Sequence, residues 1–387
     1  MLIKDKSSNK FVILFIITDL DTGGAEMMLY QLLSRIDREL FSPAIISLLE
    51  PGKLGDRIAA NDIPIYTLNM KQGVPTPSNI WRLTEIIRQI KPDIIQGWMY
   101  HGNIAALWAK LYFLYRVPVL WSIHYSPTSL SLEKRLTALL IKLGAYLSPL
   151  SASNIFVSQT SRQQHEKLGY RSKHNCVIPN GFDTSVFVPS STAKSEIRFE
   201  LTLPEDSILI GIMGRYHPMK DHSNFLKAAA LISRKYDNIY FILAGTGVDK
   251  NNQNLVNLIQ EYQLVRQTKL LGERRDIPAV AAALDIATLA SAYGEAFPLV
   301  VGEAMSCGIP CTVTDVGDSA FIVGDAGRVV APRNPEALAQ AWEELIEMGT
   351  TSRQALGKAA RARINKLFSI ESIVSEYEKL YSSLAQI

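Results

Sequence analysis

Short apolar, β-branched runs and longer amphipathic stretches take turns along this chain. In the first half the runs "FVILFIIT", "FSPAIISLL", "IPIYTL", "PDIIQGW", "VPVLWSIH" and "NIFVS" have the length and composition of buried strands, and the segments between them repeat apolar positions at helical spacing. The order resumes with "ILIGIMG", "IYFILAG", "TKLLG", "DIATLAS" and "IPCTVTD". Strand alternating with helix predicts an α/β protein whose parallel sheets are covered by helices on both faces. The series breaks once, at "VIPNGFDTSVFVPSSTAKSE", where an Asn-Gly turn followed by Pro, Ser and Thr suits a weakly ordered connection. This predicts two domains, 1–185 and 186–365, and a C-terminal helix over 366–387 that packs back on the first.

Composition agrees with two cores. The chain has 387 residues and is 47% hydrophobic, enough for two domains of ordinary size. No apolar run reaches the roughly 18 to 20 residues of a membrane span, and "MLIKDKSSNK" lacks the apolar stretch of a secretory signal, so a cytoplasmic protein is expected. Three cysteines, Cys176, Cys307 and Cys311, are too few for a disulfide framework and have no zinc-spaced partners; they read as reduced and structural.

The net charge of +3 is unevenly spread: residues 1–185 carry 20 Lys/Arg against 14 Asp/Glu, the rest 20 against 23. Within the basic half, "KRLTALLIKLGAYLS" alternates basic and apolar positions at helical spacing, and "KLYFLYR" at 110–116 adds cations beside aromatics. Such a stretch either lies on an anionic membrane surface or is an ordinary half-buried helix. No basic-aromatic patch points to nucleic acid.

Ligands of open parallel sheets bind beyond the carboxyl ends of the strands, and two such sheets facing each other would form a cleft. After the first strand comes "TDLDTGGAEMM", where Gly23 and Gly24 allow a sharp turn and a close backbone approach before a helix start; a plain tight turn needs no more. The second half opens alike, with Arg215 and Lys220 between a strand-ending glycine and a helix. Two fixed cations there neutralise a diphosphate without a metal. "FILAGTG" carries only part of the dinucleotide fingerprint, which weakens an oxidoreductase reading.

The run "SAYGEAFPLVVGEAMSCGIPC" sets two carboxylates, Glu295 and Glu303, around an apolar loop and a helix start. Phe297, Leu299 and Val300 have N–H groups to offer an anion, whereas Pro298 has none and stiffens the loop. Carboxylates bind vicinal hydroxyls, and a helix N-terminus favours phosphate. A ligand with a sugar, a diphosphate and a ribose fits both demands, so a nucleotide sugar is the expected ligand.

Taken with "RYHPMK", "FILAGTG", "GGAE", "WSIH" and "VIPNGFD", the segment "EAFPLVVGE" resembles the retaining family 4 glycosyltransferases, over nearly the whole chain. The resemblance implies a GT-B fold of two facing Rossmann-like domains with an interdomain cleft. It implies that Glu303 holds the ribose, that Glu295 holds the transferred sugar, and that Arg215 and Lys220 stabilise the departing diphosphate, beside which Gly24 lies. It also implies that His124 reaches the donor sugar or the reacting centre; His101 is a candidate acceptor-side residue. Transfer of a hexose to a glycan or lipid-linked acceptor, without a metal, in the cytoplasm or at the inner face of a membrane is the expected activity. The "DLD" triplet with Asp19 and Asp21 resembles a metal motif of another transferase class and is set aside as a chance match. Ala296 stands where family members often have Gly, which bears on donor identity. A nucleotide-sugar 2-epimerase and a non-catalytic binding subunit are the alternatives on the same fold.

Overall fold

The structure is a computed structural model that describes residues 10–21, 23–71, 75–112 and 117–385. The first sheet and its helices run β1 (Phe11–Ile17), α1 (Gly24–Arg35), β2 (Phe41–Ser47), α2 (Gly52–Ala59), β3 (Ile65–Thr67), α3 (Pro77–Ile90) and β4 (Ile94–Trp98). They continue with α4 (Met99–Tyr112), β5 (Val119–Ile123), α5 (Arg135–Leu147), β6 (Ser153–Phe156), α6 (Gln159–Lys167) and β7 (His174–Val177). The second set runs α7 (Ser191–Glu200), β8 (Ile208–Met213), α8 (His222–Ile232), β9 (Ile239–Ala244), α9 (Gln253–Glu261), β10 (Thr268–Gly272) and α10 (Ile277–Ala283). Then follow β11 (Ile286–Leu289), α11 (Leu299–Ser306), β12 (Cys311–Thr314), α12 (Ser319–Val323), β13 (Gly327–Val330), α13 (Pro335–Glu347), α14 (Gly349–Leu367) and α15 (Ile370–Ala385).

Contacts divide the chain into two units. One takes in the chain up to Gly181 together with the segment from Ile370; the other is Phe182–Ser369. Each has one parallel sheet, in the order β3-β2-β1-β4-β5-β6-β7 in the first and β10-β9-β8-β11-β12-β13 in the second.

Alternate residues of β1 serve opposite faces, as the two-residue period of a strand requires. Ile13, Phe15 and Ile17 pack with Leu29, Leu32 and Trp98 on one side, while Leu14 and Ile16 pack with Leu83, Leu107 and Trp121 on the other. The second unit repeats the plan around Ile210, Ile212, Phe225, Phe241 and Trp342.

Helix α15 belongs to the first unit although it follows the second in sequence. Ile370, Ile373, Val374, Tyr377 and Tyr381 recur at helical spacing and enter the core of Phe15 and Trp98. The Tyr381 hydroxyl donates to Gln96 Oε1 at 2.6 Å, and Gln96 Nε2 donates to Ser122 Oγ at 2.6 Å, so these three buried side chains satisfy one another.

The segment after β7 is more firmly held than its composition suggests. Asp183 Oδ1 accepts from Ser185 N at 3.0 Å, Ser185 Oγ at 2.6 Å and Val186 N at 3.2 Å, and Arg361 donates to Thr184 O and Phe187 O. Pro, Ser and Thr signal a bend, but the Asp carboxylate turns this one into a fixed turn.

Candidate active site

Strand order locates the first candidate region. In the second sheet the order reverses between β8 and β11, and a crevice at such a switch point is where open α/β sheets take ligands. The loop after β8 carries Arg215 and Lys220; the loop after β11 carries Glu295. A backbone bond ties these loops together, Ala292 N donating to Met219 O at 2.8 Å, and Tyr216 N, donating to Thr246 O at 2.8 Å, ties the first of them to the loop after β9. Two glycines permit the close packing. Gly245 (φ +147°) would overlap Gly214 O with any side chain, and Gly317 (φ +63°) would overlap Glu295 O.

Here Lys220 Nζ meets Glu295 Oε1 at 2.6 Å, and Ser291 Oγ donates to the same oxygen at 2.6 Å. Glu295 is buried and Lys220 nearly so. Arg215 is exposed and makes no ion pair among the described residues. Two neighbouring imidazoles register this positive field: His217 and His222 are both pushed down, chiefly by loss of water, with Lys220 adding to it in each case and Arg215 in the first.

Glu303 lies one turn into α11, behind the helix start that presents the Leu299 and Val300 amides. It is half-buried, and no donor among the described residues reaches its carboxylate. Burial lifts its carboxyl to about 7. The Phe297 ring is not available to a ligand: it stacks on Phe182 at 6.0 Å and meets Phe368 at 5.4 Å, leaving its main chain as the part that faces the loop.

The first unit builds a second candidate region at its own switch point, between β1 and β4. Trp98, the last residue of β4, donates its indole N–H to Ala25 O at 2.9 Å and stacks on the His124 ring at 4.5 Å and 25°. One indole therefore fixes both the start of α1, where Gly24 lies, and the imidazole after β5. The His124 Nδ1 lies 3.2 Å from Asn180 Oδ1, an acceptor, which leaves Nε2 as the open lone pair. Burial pushes this histidine down to about 4, so it is neutral at pH 7.

His101 is placed apart from this cluster. It is in the first turn of α4, on the border of an apolar groove, and shares no hydrogen bond or ring contact with His124 among the described residues. Asp19 and Asp21 each give an oxygen to the backbone, Asp19 Oδ1 to Asp21 N at 3.1 Å and Asp21 Oδ1 to Lys53 N at 3.4 Å. Cys176, Cys307 and Cys311 are free thiols; burial pushes all three up, Cys307 to about 12.

Trp98, Asn180 and Ser291 escaped the sequence reading. Asn180 read as a turn residue in "IPNG" and Ser291 as the end of a strand. The bonds that give them a role join residues 73 positions apart for Trp98 and 56 for Asn180, and no local spacing signals that.

The profile of the family "Glycosyltransferase Family 4" matches residues 22–186, and that of "Glycosyl transferases group 1" matches residues 193–363. The chain belongs to glycosyltransferase family 4. Among curated relatives of this family 4 chain, the putative glycosyltransferase EpsF of Bacillus subtilis (strain 168) is 29% identical over 143 residues, 36% of the chain and 35% of that protein. The UDP-Gal:alpha-D-GlcNAc-diphosphoundecaprenol alpha-1,3-galactosyltransferase of Escherichia coli is 32% identical over 150 residues, 38% of each chain. A D-inositol 3-phosphate glycosyltransferase of Corynebacterium jeikeium (strain K411) is 30% identical over 218 residues, 54% of the chain and 51% of the relative. The chain thus spans about a third to a half of the length of these relatives.

Solved structures share the fold over nearly the full length. Anabaena Alr3699/HepE in complex with UDP aligns with a TM-score of 0.83 at 22% identity, covering 96% of the chain and 100% of its own. The sucrose-phosphate synthase of Thermosynechococcus elongatus aligns at 0.80 with 19% identity, covering 97% and 99%. The architecture is GT-B, with two Rossmann-like domains.

Proposed function

We propose that this protein is a retaining glycosyltransferase that moves a hexose from a nucleoside-diphosphate sugar to a glycan or lipid-linked acceptor. The observation that carries the reading is the Lys220–Glu295 pair at 2.6 Å, set at the switch point of the second sheet beside Arg215. A cation for the diphosphate and a carboxylate for the sugar hydroxyls in direct contact mark the junction where the sugar–phosphate bond would break. As it breaks, positive charge grows on the anomeric carbon and negative charge on the leaving oxygen. Lys220, already held by Glu295, and the exposed Arg215 stabilise the second, and the Leu299 and Val300 amides add to the field. Glu303, a half-buried carboxylate with no donor of its own among the described residues, suits the ribose hydroxyls.

On this reading the neutral His124 offers Nε2 to the sugar, Gly24 leaves room for the diphosphate, and His101 lies on the acceptor side. The UDP and UDP-glucose held by the Anabaena fold neighbour support a nucleotide-sugar donor, and the diphosphoundecaprenol in the name of the Escherichia coli relative supports a lipid-linked acceptor. A thermal-shift series with uridine, guanosine and adenosine diphosphate sugars identifies the donor, because a ligand of the native state raises its apparent stability. Product NMR then reads the anomeric configuration, which retention leaves unchanged; inversion sinks the reading. Turnover is expected to persist in excess chelator, since cationic side chains take the metal's place. Complete dependence on added manganese or magnesium would overturn that part.

Peripheral attachment to an anionic membrane at the inner face is proposed for the same reading. No helix among the described residues is long and apolar enough to cross a bilayer. Helix α5 buries Ile141, Gly144 and Ala145 but leaves Leu136, Leu139, Leu143 and Tyr146 exposed, with Tyr146 at 82%. Lys134, Arg135 and Lys142 make no ion pair among the described residues, and each cation near an anionic leaflet contributes about 1 kcal/mol. The neighbouring run at 110–116 lies largely outside the described residues. Sedimentation with phosphatidylglycerol liposomes is expected at low salt and release as salt rises. Lys134→Gln, Arg135→Gln and Lys142→Gln together should reduce it severalfold, and a wild type that ignores the liposomes at low salt removes the membrane from the proposal.

A further inference from the structure

An open groove of about 350 Å³ lies in the first unit between α3, α4 and α5. Its walls include Leu48, Leu83, Ile104, Trp108, Leu136 and Leu140; His101 and Asn79 are its polar members. That size is in the range of small-molecule sites. Trp108 and Leu136 are 45% and 54% exposed although they form the walls, so apolar surface is left in water that a ligand would cover.

The geometry of α5 connects the groove to charge. At 100° per residue, Leu136 and Leu140 face the groove, Leu143 and Leu139 come next around the helix, and Arg135, Lys142 and Tyr146 occupy the far edge of the same exposed stripe. On the α3 side Trp81 is 67% exposed beside Arg82. Of the nearby acids, Glu85 pairs with Arg88, and Glu133, which accepts from the Tyr125 hydroxyl and keeps its charge, is outnumbered by Lys134, Arg135 and Lys142. An apolar channel with a net basic margin is complementary to a molecule with a long hydrocarbon and one anionic end. A second copy of this chain docking face to face would set basic α5 against basic α5, since a two-fold contact places like patches together.

We infer that this groove takes the hydrocarbon chain of a phosphate-headed lipid, whose head lies toward Lys134, Arg135 and Lys142. The inference rests on the proposed lipid-linked acceptor and adds the place where its chain is held. Surface attachment alone needs the exposed stripe of α5; a chain bound one at a time needs the groove.

The test uses dodecyl phosphate below its micellar concentration, with dodecyl maltoside and inorganic phosphate as controls for the chain and the head. Titration calorimetry of the whole protein is expected to show saturable binding of dodecyl phosphate, at least tenfold tighter than the maltoside, and none of inorganic phosphate. Ala105→Trp, which fills the groove from α4, should weaken it tenfold or more while leaving UDP binding unchanged. Leu136→Glu, at an exposed position that tolerates the change, should do the same by placing a negative charge on the wall, and covers the case in which the tryptophan does not fold. Unchanged affinity in both variants overturns the inference. So does a wild type that binds no dodecyl phosphate, or concentration-dependent dimerisation that Ala105→Trp abolishes, which would make a second copy the occupant. UDP and UDP-sugar binding by the same preparation keeps the two readings separable. Donor binding without amphiphile binding sinks the groove alone, and amphiphile binding without any nucleotide binding sinks the transferase reading and leaves the groove.

Discussion

Lys220→Ala is expected to lower kcat for sugar transfer by about a hundredfold or more, the usual scale for removing one preorganised electrostatic stabiliser. The same change leaves Glu295, buried at 8% exposure, with Ser291 as its remaining partner at that oxygen. Breaking one side of a buried ion pair costs roughly 3 to 5 kcal/mol, so the variant should also unfold at a lower denaturant concentration. The two losses are separable. Adding Glu295→Ala removes the stranded carboxylate and should restore most of the stability, while turnover stays low. If turnover returns with stability in the double variant, the pair is a structural clamp, and the junction of sugar and diphosphate lies elsewhere.

Glu303 gives the second large effect, and it has a pH signature. In the folded protein its carboxyl is held up to about 7, above the ordinary 4.5, because burial disfavours the charge. Below pH 4.5 both folded and unfolded states are protonated and burial costs nothing. As pH rises toward 7 the unfolded chain releases a proton that the native state keeps, so native stability falls through that window and stays lower above it. Glu303→Gln should therefore gain on the wild type between pH 4.5 and pH 8, by on the order of 2 kcal/mol once partial exposure is discounted. Ligand binding should move the other way. Ribose hydroxyls donate to the ionised carboxylate, so the wild-type affinity for UDP is expected to rise about tenfold from pH 6 to pH 8 beyond any change seen with Glu303→Gln. Glu295→Ala should leave UDP affinity nearly intact while abolishing transfer. Equal losses of UDP binding in Glu295→Ala and Glu303→Ala would show that the two carboxylates do not divide the ligand between them.

Central strands such as "FVILFII" and "ILIGIM" were legible because they are apolar runs buried on both faces. The edge strands β7 ("HNCV") and β13 ("GRVV") gave no such signal. Each is four residues long, pairs on one side only and is partly exposed, so polar residues are tolerated. Arg215, Lys220, Glu295 and Glu303 could be singled out because their segments follow strand ends, where open α/β sheets take ligands, and stand in motifs that resemble the family's. That Lys220 and Glu295 touch could not, since the order of strands in a sheet decides which loops meet, and alternation of strand and helix leaves that order open. Asp183 shows the converse: its turn residues announced a bend, but only the carboxylate's three acceptor contacts make it a fixed one.

The placement of α15 has a consequence for synthesis on the ribosome. The core of Phe15, Trp98 and Leu29 is closed by Ile373, Tyr377 and Tyr381, which are translated only after the whole of Phe182–Ser369. At 5 to 20 residues per second that interval lasts about 10 to 40 s. Throughout it the first unit has its sheet but not the helix that covers one face, and Gln96 waits for the hydroxyl of Tyr381. The half that emerges first is thus completed last, and the nascent chain exposes apolar surface long enough to need a chaperone's shelter. A ribosome that stops just after Ser369 would release a finished second unit attached to an open first one.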